Sequence, residues 1–157
     1  MKVVLDLGCG TWCRGDIGID IDFWSRNPLD QPWKFDDLLG GRNPLCDRVM
    51  ADLNFGIPLR SRCVDVVVMR AVLEHLLRPY DVLREVARVV KATAVVKIVV
   101  PNARVSLADW RDRSHVYSWT PPSIESLVSR VFRRVRIELL FGGETIYVEA
   151  RDPRTST

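Results

Sequence analysis

The chain has 157 residues, of which 27% are charged and 47% hydrophobic, with a net charge of +3. That balance fits one folded domain over residues 1–157 with a sizeable core, and excludes the strong cationic excess of a dedicated nucleic-acid binder. No apolar run reaches the roughly 20 residues of a membrane span, and the N-terminus enters a strand without a basic-then-apolar leader, so no membrane partner and a cytoplasmic location are expected.

The basic residues are 19 arginines against 4 lysines. Such a skew accompanies phosphate-binding surfaces, and equally heat-adapted or GC-rich genomes. Cys9, Cys13, Cys46 and Cys63 form no C-x-x-C pair and have no neighbouring histidine cluster, so no metal site is expected from them. They are expected to be free buried thiols, with Cys13–Cys46 or Cys46–Cys63 pairing reserved for a hyperthermophilic source.

In chain order, Lys2–Leu7 and Ile17–Ile21 are short apolar runs of strand length. Parallel strands normally need a crossover of about a dozen residues or more, usually a helix. Here three glycines and no helical period lie between them. Residues 23–48 form a long Pro-, Gly-, Asp- and Trp-rich stretch, of the kind that tends to be functional. Arg48–Ala51 is a third strand, and Val64–Met69, with its valine run, a central one. The spacing of Leu83, Val86, Ala87 and Val90 predicts a helix over Pro79–Lys91. Ala94–Val100 is the next strand, stopped by Pro101. Thr120 is an N-cap with Pro121 in the first turn of a second helix. Val135–Phe141 and Thr145–Ala150 flank Gly142–Gly143 as a hairpin, and Arg151–Thr157 is expected to fray. Strand–helix alternation with a terminal hairpin predicts an α/β fold on a mostly parallel sheet.

The first strand runs into Asp6-Leu7-Gly8-Cys9-Gly10. Glycines at that place let backbone approach a ligand at the carboxyl edge of the sheet. An acid ending the next strand, Asp20 or Asp22, is placed to accept ribose hydroxyls, and Asp20 follows the buried Ile19 most directly. A dinucleotide fingerprint fails. The position of its last glycine holds Cys13, no helix follows, and the acid comes about ten residues on rather than about twenty.

Taken together, "VVLDLGCG", "GIDID", "ADLNFGIPLRSRCVDVVVMRAVLEHL", "PYDVLREVARVVK", "VVKIVVPN" and "HVYSWTPPSIESLV" resemble, in order, the motifs of class I S-adenosylmethionine-dependent methyltransferases of the type 11 kind. The resemblance covers about residues 1–150. It implies a three-layer Rossmann-like α/β fold with a mostly parallel seven-stranded sheet and a C-terminal antiparallel hairpin, and S-adenosyl-L-methionine as cofactor. Carried over by position, Asp6, Gly8 and Gly10 would hold the methionine end, Asp20 the ribose, and Asp52 with Leu53 the adenine; Arg70 and Ala71 would lie under the sulfonium. Two departures stand out: Trp12 replaces the third glycine of the first motif, and the first helix is missing, as in a short branch of the family. The sheet face left bare is expected to be covered by residues 23–39, with Trp24, Trp33 and Phe35.

Candidate bases are few. His75 in "LEHL" and His115 beside Tyr117 and Trp119 are the expected catalytic groups, with Glu74 as a cofactor contact or a helix cap. Arg130, Arg133, Arg134 and Arg136 read as either a phosphate stripe or solvated charge, and Lys97 lies oddly in an apolar strand. With the chain starting at its first strand, an open acceptor pocket is expected. That suits a large acceptor such as protein or RNA, or a pocket completed by a second subunit as in a homodimer, and the acceptor itself, small molecule, protein or RNA, stays open. The rival reading is a reduced, non-catalytic binding or subunit protein.

Overall fold

The computed structural model describes residues 1–24 and 28–154. Seven strands form one sheet in the order 3-2-1-4-5-7-6. They are β1 (Val4–Leu7), β2 (Ile17–Asp20), β3 (Asp47–Met50), β4 (Val64–Arg70), β5 (Val90–Pro101), β6 (Phe132–Leu140) and β7 (Thr145–Pro153). β1 to β5 are mutually parallel, while β7 runs antiparallel between β5 and β6. Among the described residues the helices are α1 (Asp36–Leu39), α2 (Pro79–Val89), α3 (Leu107–Arg111) and α4 (Pro121–Ser129). None is long and apolar enough to cross a membrane.

The period-2 alternation of the strands sorts the two sheet faces. Leu5, Leu7, Ile19, Val67, Met69, Val96, Ile98, Ile146 and Val148 lie in one core with Val82, Leu83, Val86 and Val89 of α2 and Ile124 and Val128 of α4. These buried helical positions repeat at three- and four-residue steps, so each helix presents one apolar face to the sheet. α4 starts where Thr120 predicts. Its hydroxyl accepts from Ser123 N, and Ser123 Oγ accepts from Thr120 N at 2.9 Å, a reciprocal cap.

The opposite face is closed differently. Leu39, Val68, Val99 and Tyr147 form a small second core, joined by Val4, Phe35, Leu38, Val66 and Leu140. Part of the predicted covering segment therefore does cover this face, through Phe35, Leu38 and Leu39. Trp24 is 76% exposed and adds little there. Residues 25–27 lie outside the described part. Lys97 belongs to this face, and its Nζ donates to the Leu38 carbonyl at 3.1 Å, which pins the segment to the sheet. Toward the β6 edge the same face carries Arg136, Glu138, Glu149 and Arg151 in mutual ion pairs.

The helix-free crossover from β1 to β2 has a geometric explanation. Strands of four residues rise only about 13 Å, and residues 8–16 can reach about 30 Å when extended. The loop therefore doubles back over β1: Arg14 N donates to Asp6 Oδ2 and Asp16 N to the Val4 carbonyl, both at 2.8 Å. A Cβ on Gly15 would stand 2.6 Å from the Val4 carbonyl oxygen, so only glycine permits this approach.

Three expectations are corrected. Cys13 and Cys46 form a disulfide, because the returning loop and the segment before β3 meet above Gly18; Cys9 and Cys63 are free thiols. Arg151 to Pro153 extend β7 rather than fray, and Arg154 N donates to the Val131 carbonyl at 2.8 Å; residues 155–157 are outside the described part. α2 ends at Val89 and β5 begins directly at Val90, so the helix is shorter than Pro79–Lys91 and the strand longer than Ala94–Val100.

Candidate functional site

A cleft of about 380 Å³ opens at the carboxyl edge of β1, β2, β3 and β4. Gly8, Asp20, Ile21, Ala51, Asp52, Leu53, Ala71, Val72, His75 and Leu76 are among the residues lining it. This is where open α/β sheets bind ligands, beside the point at which strand order reverses, and the volume lies in the range of small-molecule sites. A larger groove of about 820 Å³ lies elsewhere, lined by Arg62, Arg84, Arg88, Arg130 and Arg154 among others. It adjoins the ends of α2 and α4, where cations offset the helix carbonyls. It lacks the glycine turn and the strand-end acids.

The cleft floor is built from backbone. Gly8 (φ 70°) and Gly10 (φ 51°) turn the chain after β1, and Gly8 N donates to the Ile19 carbonyl at 2.7 Å. A Cβ on Gly8 would stand 2.2 Å from Val72 Cγ2, so the β4 end wedges directly against this turn. Ala71 adopts φ 55°, a left-handed conformation costing a non-glycine residue about 1 kcal/mol or more. Asp20 Oδ2 accepts from Gly10 N at 2.7 Å and its Oδ1 from Asp22 N at 3.1 Å. Both carboxylate oxygens are thus oriented, and each keeps a second lone pair. Asp52 caps the turn after β3 by accepting from Asn54 N at 2.9 Å. The walls around these acids, Ile21, Ala51, Leu53 and Leu76, are apolar.

Asp6 lies beneath the floor, buried, with burial raising its carboxyl to about 6 despite the Arg14 N–H and the guanidinium charges nearby. Arg70, expected under a sulfonium, instead grips Asp30 through two bonds of 2.9 and 2.8 Å and lies 5.8 Å over the Phe35 ring. It ties the covering segment to the sheet. Trp12 packs edge-on to Trp33 at 6.2 Å and is not among the lining residues, so the cleft is not plugged.

At the other end of the cleft stands a titratable group. Glu74 and His75 sit in the short turn Leu73–His75 after β4, and His115 in the loop between α3 and α4. Val116 N and Tyr117 N donate to the Glu74 carbonyl at 2.7 and 3.2 Å, so that loop is stitched to the turn. The His75 and His115 rings meet at 4.7 Å. His75 Nδ1 is 3.2 Å from the Ser114 carbonyl, and His115 Nδ1 is 2.7 Å from Asp109 Oδ1. Burial raises the Glu74 carboxyl to about 7 and holds His75 below its ordinary value.

Of the residues expected at the site, Gly8, Asp20, Asp52, Leu53, Ala71 and His75 share one cleft. Gly10 and Asp6 support its floor, His115 stands behind His75, and Arg70 faces the covering segment. Val72, Leu76, Asp109 and Asp112 were not foreseen. The first two are unremarkable apolar residues in a motif read for its polar members. The aspartates reach His115 only through the fold of an irregular loop.

The comparisons agree with this architecture. The methyltransferase-domain family matches residues 31–98. No curated protein matches the sequence. An S-adenosylmethionine-dependent methyltransferase of Archaeoglobus fulgidus superposes with a TM-score of 0.68 at 18% identity, covering 98% of this chain and 86% of that one. One from Aquifex aeolicus gives 0.59 at 18%, covering 95% and 81%. A chain from the complex with the Haloferax volcanii Trm112 methyltransferase activator gives 0.68 at 14%, covering 99% and 84%.

Proposed function

We propose that the chain is a class I S-adenosylmethionine-dependent methyltransferase and that the 380 Å³ cleft seats the cofactor for methyl transfer to an acceptor at the His75 end. One observation carries the reading. Residues from four separate segments, Gly8, Asp20, Asp52–Leu53 and Ala71–Val72, converge on a single cavity of suitable size and chemistry. When bound, the cofactor would supply a methyl group on a sulfonium, with a neutral thioether as the leaving group.

The protein's own part is positioning. Asp20, with both oxygens already oriented, accepts the ribose hydroxyls. Ile21, Ala51, Leu53 and Leu76 enclose the adenine, with Asp52 at its edge. The Gly8–Gly10 turn brings main chain against the methionine end, above Asp6. Ala71 and Val72 form the wall between cofactor and acceptor. His75, at the mouth, and His115 behind it are the groups able to hold or take an acceptor proton. Arg70 acts as a positioning residue through Asp30.

Calorimetric titration with S-adenosylhomocysteine tests the proposal. Saturable binding is expected, and Asp20→Ala should weaken it by the roughly 1–3 kcal/mol of lost hydrogen bonds to a charged group. Absence of binding at millimolar ligand would leave the second reading, a non-catalytic module. The missing first helix is the observation that favours that reading.

A further inference from the structure

The acceptor end of the cleft holds more buried negative charge than proton transfer needs. The Glu74 side chain is 1% exposed, and neither of its oxygens meets a donor. Asp109 is 3% exposed, and its Oδ2 is likewise unpartnered. Among the described residues no lysine or arginine pairs with Glu74, Asp109 or Asp112; His75 and His115 face them, and Asp112 Oδ1 also accepts from Ser114 N and Oγ. A buried carboxylate without a donor costs several kcal/mol, so this arrangement calls for a cation or a proton.

The imidazoles are oriented for the first. His75 Nδ1 faces the Ser114 carbonyl and His115 Nδ1 faces the Asp109 carboxylate, both acceptors. A neutral ring with its hydrogen on Nδ1 satisfies these acceptors and presents its Nε2 lone pair on the other side. A second acceptor on the far ring nitrogen is the usual support of a metal-bound histidine. His75 Nε2 lies 3.8 Å from Glu74 Oε1. His115 Nε2 lies 3.3 Å from Asp112 Oδ2, so with two carboxylates on one ring either a second proton or an ion must stand between them. One donor atom each from Glu74, His75 and His115 lies within 4.8 Å of the other two. Donors about 2.0–2.2 Å from a shared ion stand roughly 3–3.5 Å apart, so side-chain shifts of about 1 Å close the set.

We propose that Glu74, His75 and His115 bind one divalent transition-metal ion at the mouth of the cleft, with Asp112 as a fourth donor at the rim. Two imidazole nitrogens with carboxylate oxygen favour zinc, manganese, iron or cobalt over magnesium or calcium. The set leaves coordination positions open toward the cleft, which suits an acceptor that reacts through oxygen. In that case the two histidines are ligands rather than bases. The acceptor role rests on the methyltransferase reading above, whereas the ion site does not.

The experiment uses the chelator-treated chain and Co²⁺ as a spectroscopic probe, without cofactor. One equivalent is expected to saturate a visible d–d absorption band. Glu74→Gln and His115→Gln should each weaken binding by more than about 100-fold, judged against the 10–100-fold typical of outer-shell changes. Cys9→Ser and Cys63→Ser should leave the band in place. The proposal fails if no saturable band develops at millimolar Co²⁺, if Glu74→Gln binds as the parent does, or if only the cysteine variants lose the signal. Should Glu74→Gln not fold, His75→Gln, whose side chain is 36% exposed, tests the same ion. S-adenosylhomocysteine titrations run in parallel keep the two ideas apart. Homocysteine-ligand binding without Co²⁺ binding ends the ion site alone, and the reverse ends the cofactor reading alone.

Discussion

The two ends of the cleft are built from different materials. At the end proposed for the cofactor, main chain does the shaping: two glycines and an alanine with positive φ, and acids whose oxygens are set by backbone N–H groups. At the end proposed for the acceptor, side chains do it: Asp109 and Asp112 flank His115, which stands beside His75 over the unpartnered Glu74 carboxyl. A backbone-built site is rigid and intolerant of added atoms. A side-chain-built site can lose a member and keep its shape, so substitutions at the two ends should fail in different ways.

The largest effect is expected from Gly8→Ala. The new methyl would collide with Val72 in a backbone conformation that alanine resists, so a loss of more than about 3 kcal/mol in urea unfolding is expected, together with loss of S-adenosylhomocysteine binding. Adding Val72→Ala should recover only the collision, not the φ cost. Full recovery would show that the turn is less constrained than described. His75→Ala should do the opposite, lowering turnover by about 100-fold or more while the cofactor affinity stays within about twofold. Equal losses in both measurements would merge the two ends into one.

Asp6 gives the cofactor end a pH signature. Its carboxyl keeps its proton to about 6 in the fold, against 3.8 when unfolded. Its stabilising contribution is therefore complete below about pH 4 and is lost as pH rises through 6, by as much as about 3 kcal/mol. Asp6→Asn should flatten the stability curve between pH 4 and 7, and an unchanged slope would point to another group. Smallest of all, Arg70→Gln should cost under about 1 kcal/mol, because its bond to Asp30 is partly solvated. A large drop in cofactor affinity from that change would return Arg70 to the place the family resemblance gave it.

How far the sequence could be read follows the same division. β4 and α2 were visible because valine runs and three- and four-residue spacing directly encode burial on one face. The first motif, Asp20 and Asp52 were visible because backbone-built sites need particular residues at particular strand ends. Phe35, Leu38 and Leu39 covering the second face were only partly legible, since an irregular segment carries no period. The Cys13–Cys46 bond was one of two pairings left open and ranked below free thiols, because nothing local links residues 33 apart in sequence. Asp109 and Asp112 were missed for the same reason: their meaning exists only once residues 103–119 have folded against the turn after β4.

The bond between Cys13 and Cys46 closes a covalent ring that contains β2, with Asp20 at its end, and the short α1 that shields the second face. Where a side chain would stand on Gly18 there are three sulfur atoms instead, those of Cys9, Cys13 and Cys46. Opening the ring in a reducing medium would free the shield from the turn it is anchored to, leaving charged contacts through Lys97, Arg70, Arg14 and Lys34 to hold it. Amide exchange should then accelerate across residues 32–39 while the α2 side of the sheet keeps its protection, so the oxidation state of one bond sets which half of the protein breathes first.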